Sequence, residues 1–484
     1  MTPVVERLKP AHGAGDSPVN IAVIGCGYVG LVAAVCFAEI GHTVICVDSD
    51  EPKIEMLRTG RVPIHENCLQ ELLARQRPGA LTFGTSIAEA VRASEVVFIA
   101  VGTPPLENGD ADLSYVEAVA VEIARSMTGY RVIVEKSTVP VYTSDWIKRV
   151  LRRHGVRPEE ADVVSNPEFL REGTAVMDFL HPDRIVVGTT SDRAYRLLSR
   201  IYRPLTDGSY YRKAASIPGC CSELKPATIL RTSAKSAELI KHASNAFLAL
   251  KISFINSVAN VCEAVEADIE EVAQGMGMDR RIGPRFLNAG LGYGGSCFPK
   301  DLKAFHAICQ QVGVDLTLLR EVEQINERQR ELFLKKVRST LWNLRGKKLA
   351  VLGLSFKGGT DDLRESPAIS IVRSFLAEGC SVTAYDPAAM RNARKMLGAA
   401  SLRFAEDPYS AMDGADALVI LTDWAEFAKL DLDCVKARLA GPIIFDGRNL
   451  FEPSEMAAQG FTYISTGRPA AEPVAEVMAV ARRA

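Results

Sequence analysis

The chain has 484 residues, 47% hydrophobic and 24% charged, with 57 basic against 59 acidic side chains and a formal net charge of −2. At about 150 residues per domain the length predicts roughly three domains, and the composition excludes disordered, collagen-like and disulfide-scaffold proteins. So balanced a charge gives no broad field for nucleic acid or anionic lipid, and leaves only local basic pockets for a small anion.

Residues 1–18 lack an apolar core and read as a flexible tail rather than a signal peptide. Ile21–Ile24 is a short β-branched run that ends in Gly25-Cys26-Gly27-Tyr28-Val29-Gly30. A helical pattern follows over Leu31–Ile40, then a second strand over Val44–Val47 that stops at Asp48. That is one βαβ unit. Ile21–Ala38 is uncharged over nearly the length of a membrane span. Its glycines, and the Glu39, His42 and Asp48 that follow, suit a buried strand, turn and helix instead, so no membrane segment is expected. Val96–Val101 and Val132–Glu135 read as further buried strands, and Thr206–Thr232, with Cys220 and Cys221, as a loop. From Ser236 to about Arg345 the pattern is mostly helical. It opens with an unusually long segment through Ala267, of the kind that joins domains and forms dimer surfaces.

The strand order then repeats. Leu349–Gly353, Val382–Asp386, Leu418–Thr422 and Ile443–Asp446 echo the first four strands in sequence. The expected fold is α/β: two Rossmann-like, doubly wound parallel-sheet domains joined by a central helical domain with a long helix. The expected divisions are the tail at 1–18, a dinucleotide-binding domain at 19–215, a central helical and dimerisation domain at 216–345, and a second Rossmann-like domain at 346–484. The eleven cysteines are scattered, and Cys36, Cys46 and Cys262 lie in apolar runs. No CxxC pair or Cys/His cluster has zinc spacing, so no metal is expected. Free buried thiols imply a reducing, cytoplasmic setting.

Five motifs carry chemistry. Gly25, Gly27 and Gly30 allow a tight turn and close backbone approach to a pyrophosphate at a helix N-terminus. Asp48, at the end of the next strand, is placed to accept ribose hydroxyls and to disfavour a 2′-phosphate. In Leu291-Gly-Tyr293-Gly294-Gly-Ser-Cys297-Phe-Pro-Lys300-Asp301, clustered glycines permit a nest for an anion or sugar. Pro299 suits the first turn of a helix, which puts Cys297 at its cap, where the helix end and Lys300 favour a thiolate nucleophile. Lys241 and Asn245 share a helix face at i and i+4 and can stabilise a developing oxyanion. Asn166-Pro-Glu168 offers a carboxylate after a turn, a candidate general base. Lys357, after Gly353, and Arg448, after Asp446, are cations at strand ends of the second sheet, suited to a diphosphate.

In order, GxGxxG, NPEFLREG (166–173), KxxxN (241–245) running into HASNAFLALKISFIN (242–256), RRIGPRFLNAGLGYGGSCFPKD (280–301), SFKGGTDDLRESP (355–367) and DGRN (446–449) closely resemble the UDP-glucose 6-dehydrogenase family, from about residue 19 to 465. The RIGPRFL lead-in is similar to the UDP-glucose branch rather than the GDP-mannose or UDP-N-acetylhexosamine branches. The 1–18 tail and the extended 207–232 loop depart from the family pattern without touching a catalytic motif. The resemblance implies that Gly25, Gly27, Tyr28, Val29, Gly30, Asp48, Lys53, Gly102, Thr103, Pro104, Ser137, Thr138, Glu172, Lys300 and Arg364 contact NAD. It implies that Glu168, Phe169, Leu170, Arg171, Lys241, Asn245, Arg281, Asn288, Leu291, Tyr293, Gly294, Phe356, Lys357 and Arg448 hold UDP-glucose, and that the domain at 346–484 binds the UDP-sugar. The family's counterpart of Arg281 reaches across from a second subunit, so a homodimer or larger homo-oligomer is implied.

Alcohol-to-acid oxidation removes two hydrides and consumes two NAD+. Cys297 would trap the intermediate aldehyde as a thiohemiacetal and then a thioester, which water hydrolyses. Asp301 and Glu168 are both candidate bases, with Thr138 as a water-positioning hydroxyl, and the residues do not apportion these roles. A sister enzyme for another nucleotide sugar and a catalytically silent nucleotide-sugar sensor are the alternatives. Intact Cys297, Lys241, Asn245 and Asp301 count against the sensor.

Overall fold

The computed structural model describes residues 4–6, 17–106, 109–213, 216–217, 225–398 and 402–473. The chain forms two compact units, residues 1–244 with 303–314, and residues 245–302 with 315–484.

The first unit is built on a nine-stranded sheet. Its strands are β1 (Val4–Glu6), β2 (Asn20–Ile24), β3 (Thr43–Val47), β4 (Leu81–Gly84), β5 (Val96–Ile99), β6 (Arg131–Glu135), β7 (Ala161–Ser165), β8 (Arg184–Gly188) and β9 (Thr228–Thr232), in the spatial order β1-β9-β8-β7-β6-β5-β2-β3-β4. From β4 to β7 every pairing is parallel, and the order is that of a dinucleotide-binding sheet. Helices cover both faces, so the central strands are apolar throughout rather than alternating; Ile21, Val23, Val96, Phe98, Val132 and Val134 are fully buried. Phe37 of the helix Tyr28–Glu39 packs its ring against Phe98 at 4.8 Å and edge-on to Phe179 at 5.1 Å.

Two features differ from the expectation. Beyond β7 the sheet is mixed, because β8 runs antiparallel to β7 and β1 antiparallel to β9. Val4–Glu6, expected in a loose tail, and Thr228–Thr232, expected in a loop, are strands paired with each other. Each is a short apolar run among polar residues. Such runs become strands only when another edge supplies hydrogen-bond partners. The rest of the predicted tail up to residue 16, and residues 214–215 and 218–224 of the predicted loop with Cys220 and Cys221, lie outside the described residues.

The second unit carries a six-stranded, wholly parallel sheet: β10 (Lys348–Leu352), β11 (Ser381–Tyr385), β12 (Leu402–Phe404), β13 (Ala417–Ile420), β14 (Ile443–Asp446) and β15 (Thr462–Ile464), ordered β12-β11-β10-β13-β14-β15. The internal repeat extends to single hydrogen bonds. Gly25 N–H donates to Val47 O at 2.7 Å and Gly353 N–H to Tyr385 O at 2.8 Å, both glycines having positive φ. Asp48 accepts from Cys26 N–H, and Asp386 from Leu354 and Ser355 N–H.

Helices over Ala234–Val265, Ile269–Gly277, Phe298–Gln311 and Thr317–Leu341 occupy the predicted helical middle. By length and composition Ala234–Val265 is the one described helix able to cross a membrane. Its buried positions include the polar Glu238, Lys241, His242, Asn245, Ser253 and Asn256.

Candidate active site

The glycine turn lies where the strand order reverses, at the carboxyl ends of β2 and β5, the usual ligand crevice of an open α/β sheet. Gly25 has φ +104°, and a Cβ there would sit 2.5 Å from Ala100 O; a Cβ on Gly30 would collide with Gly25 O. Gly27 caps the helix Tyr28–Glu39 with no side chain, so the first-turn N–H groups face outward for an anion. Val29 is half-buried in this first turn. Asp48 Oδ2 accepts from Cys26 N–H at 2.8 Å and from Lys53 Nζ at 3.0 Å, while Oδ1 accepts from Asp50 N–H at 3.0 Å. Burial works to raise the Asp48 pKa, but the N–H groups of Asp50 and Cys26 and the Lys53 ammonium outweigh it and hold the carboxyl below its ordinary value. A cradle that no side chain can fill and an ionised carboxylate at the strand end fit NAD. Like charges brought together cost several kcal/mol, so kcat/KM for NAD+ should exceed that for NADP+ by about a hundredfold or more. Equal values for the two cofactors would remove Asp48 from the ribose site.

The loops after β5 and β6 border the same crevice. Thr103 Oγ1 donates to Thr138 O at 2.8 Å, and Ser137 N–H and Oγ both reach Ile99 O. Gly102 and Pro104 are exposed, and Thr138 is half-buried. Tyr28 was expected at the cofactor, but its hydroxyl is engaged inside the protein: it donates to Glu66 and accepts from Gly173 N–H at 2.7 Å. Glu66 also accepts from Gly173 and Val176 N–H. It thereby ties the glycine-turn helix to the 166–173 loop that carries Glu168 and the half-buried Glu172. Sequence reasoning missed Glu66, which stands in no motif.

Within the first unit Lys241 Nζ lies 2.8 Å from Glu168 Oε1, with both side chains about 95% withdrawn from solvent (4% and 5% exposed). Glu168 Oε2 accepts from Leu170 N–H at 2.5 Å, and the Lys241 ammonium lies 5.6 Å from the Phe169 ring. Three further charged residues buried in this unit were not anticipated: Glu135 and Lys136 at the end of β6, and Glu238. Glu238 accepts from Tyr142 N–H, Ser144 N–H and Ser144 Oγ. The only signal was a Glu-Lys pair closing an apolar strand. Arg171, expected at the sugar, is exposed and forked onto Asp178 at 2.6 and 3.1 Å.

In the second unit Cys297 immediately precedes the helix Phe298–Gln311, and its carbonyl accepts from Asp301 N–H at 2.8 Å, the first helical bond. Cys297 is therefore the N-cap, as the sequence suggests. It is half-buried, whereas Cys26, Cys36, Cys46, Cys262, Cys309 and Cys380 are buried. Asp301, 1% exposed, accepts from Asn245 Nδ2 at 2.6 Å and pairs with Lys300 Nζ at 2.8 Å. The glycines before Cys297 serve close packing first. A Cβ on Gly292 would meet Asn326 Oδ1, and one on Gly295 the Phe356 ring at 2.8 Å; Gly294 is walled in by Glu365, Pro367 and Phe356. Asn326 also brackets Tyr293, accepting from its N–H and donating to its carbonyl. Leu291 is fully buried against Gly447, while Asn288 is exposed.

The loops after β10, β13 and β14 meet at the switch point of the second sheet. Arg448 Nε donates to Leu421 O and its NH2 group to Phe356 O, both at 2.9 Å. Lys357, next in the chain, is half-buried, its ammonium 5.5 Å from the Phe356 ring. Arg364 is exposed and chelated by Asp362, and Arg281, 89% exposed, by Asp279 two residues away. Among the described residues no group of three His, Cys, Asp or Glu side chains is arranged to hold a metal.

Three models of the UDP-glucose/GDP-mannose dehydrogenase family match in order: the NAD binding domain over residues 19–206, the central domain over 235–328 and the UDP binding domain over 350–453. The chain is 46% identical over 456 residues to a UDP-glucose 6-dehydrogenase of Rhizobium meliloti, spanning 93% of this chain and 100% of that protein. It is 45% identical over 452 residues to one from Bacillus subtilis, spanning 93% and 94%. The solved UDP-glucose dehydrogenase of the archaeon Pyrobaculum islandicum superposes with TM-score 0.81 at 38% identity, over 91% of this chain and 96% of that one. A UDP-D-ManNAc dehydrogenase from Pyrococcus horikoshii gives 0.76 at 27% identity, over 93% and 99%. With NAD-binding, central and UDP-binding regions matched along most of its length, the chain belongs to the UDP-glucose/GDP-mannose dehydrogenase family.

Proposed function

We propose that this protein oxidises the primary alcohol of UDP-glucose to the carboxylate of UDP-glucuronate, with two NAD+ reduced per sugar and a thioester on Cys297. The observation that carries the reading is the half-buried Cys297 at a helix N-terminus, one turn before a buried Asp301 hydrogen-bonded to Asn245. Relatives named UDP-glucose 6-dehydrogenase, at 45–46% identity, support UDP-glucose over the N-acetylated sugar of the 27% relative.

The Gly25–Gly30 turn and Asp48 would hold NAD+, which when bound supplies a hydride acceptor. Lys241 and Asn245, one turn apart on the helix Ala234–Val265, hold the substrate oxygen and stabilise negative charge on it. Loss of a proton and a hydride turns the alcohol into an aldehyde. The Cys297 sulfur then adds to the carbonyl carbon, and the oxygen takes a proton to give a thiohemiacetal. Loss of the second hydride and a proton leaves the acyl group on sulfur. Water attacks that carbonyl, the C–S bond breaks, and the thiol leaves reprotonated. Asp301 and Glu168 are the carboxylates available to take these protons, with the Thr138 hydroxyl to position water. The sum is alcohol, water and two NAD+ giving carboxylate, two NADH and three protons. With UDP-glucose limiting, two NADH per sugar are expected. One NADH per sugar would overturn the four-electron oxidation, and GDP-mannose used equally well would replace this reading with that of a sister enzyme.

Lys357 and Arg448 would neutralise the diphosphate. Lys357→Ala should raise KM for UDP-glucose about tenfold, the loss of one charge-assisted contact of about 1.5–3 kcal/mol. Arg448→Ala should raise it further, because it also frees the Phe356 and Leu421 carbonyls. Unchanged KM in folded variants would move the nucleotide elsewhere. We also propose assembly through the long helix, which exposes Phe247, Phe254 and Val261 at seven-residue intervals, one face over two-turn steps. Sedimentation as a monomer at micromolar concentration would contradict it.

A further inference from the structure

Lys136 follows β6, is 4% exposed, and belongs to none of the motifs above. Among the described residues its Nζ has two acceptors, both on Asn166: the backbone O at 3.4 Å and Oδ1 at 3.3 Å. Asn166 is itself fixed on every side. Its N–H donates to Glu135 O at 2.8 Å, its Nδ2 to Val186 O at 2.7 Å, and its Oδ1 also accepts the Tyr202 hydroxyl at 2.6 Å. Two residues further on stands Glu168, paired with Lys241. The ammonium thus holds the first residue of the Asn-Pro-Glu turn whose third residue carries the carboxylate.

Packing alone does not require a charge here. Two long bonds to a single residue leave a buried ammonium poorly solvated, and an apolar chain of the same length would fill the space at less cost. The compensating charge is Glu168, with Glu135 beside it in the chain; Lys241 opposes. Glu135 is fully buried, and burial first, then Glu238, drives its pKa well up, which favours its neutral form. Phe179, whose ring centroid is 6.0 Å from Nζ, and neutral Tyr202 complete the surroundings. Glu168 is therefore the carboxylate that two buried lysines share.

We propose that Lys136 is a positioning residue for the oxidation: its ammonium clamps Asn166, and thereby sets Glu168 and the Lys241 paired with it, and it does so only while protonated. The inference rests on the reading that Glu168 and Lys241 belong to the catalytic machinery. It has a pH signature. Burial pushes the Lys136 pKa down to about 8, against an ordinary lysine value near 10.4. Activity should then fall above about pH 8 as the clamp lets go. Stability should move the other way. A lysine with a lowered folded-state value binds fewer protons folded than unfolded between about pH 8 and 10, so its contribution to stability rises with pH through that window.

The test measures kcat, KM and thermal midpoint from pH 6.5 to 10 for the wild type, Lys136→Met, Lys136→Arg and Glu168→Gln. Lys136→Met, close in length and uncharged, should lose about a hundredfold in kcat, the effect of an ångström-scale misplacement, with KM for NAD+ within twofold. It should show no alkaline limb and no drop in midpoint. Lys136→Arg, charged at every pH tested, should recover at least tenfold of that loss and carry the limb beyond pH 10. Wild-type kcat with an unshifted limb in Lys136→Met would overturn the proposal. Should that variant fail to fold, an unshifted limb in Lys136→Arg, or a wild type with no alkaline limb up to pH 10, would overturn it equally. Glu168→Gln separates the two levels. If it turns over at the wild-type rate, the catalytic reading of Glu168 fails; if it is slow while Lys136→Met is not, only the role of Lys136 fails.

Discussion

Cys297→Ala is expected to cut UDP-glucuronate formation on the order of a thousandfold or more, because the aldehyde then has no covalent route to the acid. The first oxidation does not use the thiol, so residual NADH should tend towards one per sugar. Cys297→Ser is the more informative variant. A serine hydroxyl can still form a hemiacetal, and loss of the second hydride leaves an oxygen ester that hydrolyses more slowly than a thioester. Mass spectrometry after incubation with UDP-glucose and NAD+ should find a UDP-glucuronyl adduct on the tryptic peptide spanning 286–300. Cys262→Ala and Cys309→Ala are the controls. Both thiols are buried, at 3% and 6% exposure, and their loss should leave turnover nearly unchanged. Near wild-type UDP-glucuronate production by Cys297→Ala, with two NADH per sugar, would refute the thioester.

Lys241→Met should be costly twice. Losing a preorganised donor to a developing oxyanion typically lowers kcat about 10²–10³-fold. Removing one partner of a buried ion pair costs about 3–5 kcal/mol, because the other charge is left without compensation. Here the pair is 2.8 Å apart and almost wholly withdrawn from solvent, with Lys136 left as the remaining cation, so the lower end of that range is expected. A fall of several degrees in thermal midpoint should accompany the loss of kcat. The double variant Lys241→Met/Glu168→Gln discriminates. It removes both charges of the contact but leaves Lys136 without its carboxylate, so it should regain little stability and no activity, while the cycle should still be non-additive, as for a contact pair. Full activity in Lys241→Met would remove the lysine from the reaction.

Much of the site was legible because its chemistry is local. Gly25 needs positive φ and space for Ala100 O, and only glycine supplies both, so the turn is written into the residues. Cys297 at a cap follows from Pro299 one residue into the helix, and the paired sheets follow from β-branched runs in a repeated order. The glycines near Cys297 were harder. Their sequence suggests a nest for a ligand, yet Gly292, Gly294 and Gly295 are first required by Asn326, Phe356 and Glu365, which approach from distant segments. Arg171, Arg281 and Arg364, cations expected at ligands, are ion-paired with the nearby Asp178, Asp279 and Asp362.

By itself, then, the sequence determined the two Rossmann-like sheets, the glycine turn with its strand-end Asp48, the long helix and the capping cysteine. Each depends on periodicity, backbone dihedrals or spacing within a few residues. Tertiary structure alone decided that Glu66 joins Tyr28 to Gly173, that Val4–Glu6 and Thr228–Thr232 pair, and that Glu135, Lys136 and Glu238 are buried as Lys241 and Glu168 are. A buried charge or an edge strand is stable only where a distant segment brings its partner, and no local pattern in the chain encodes that meeting.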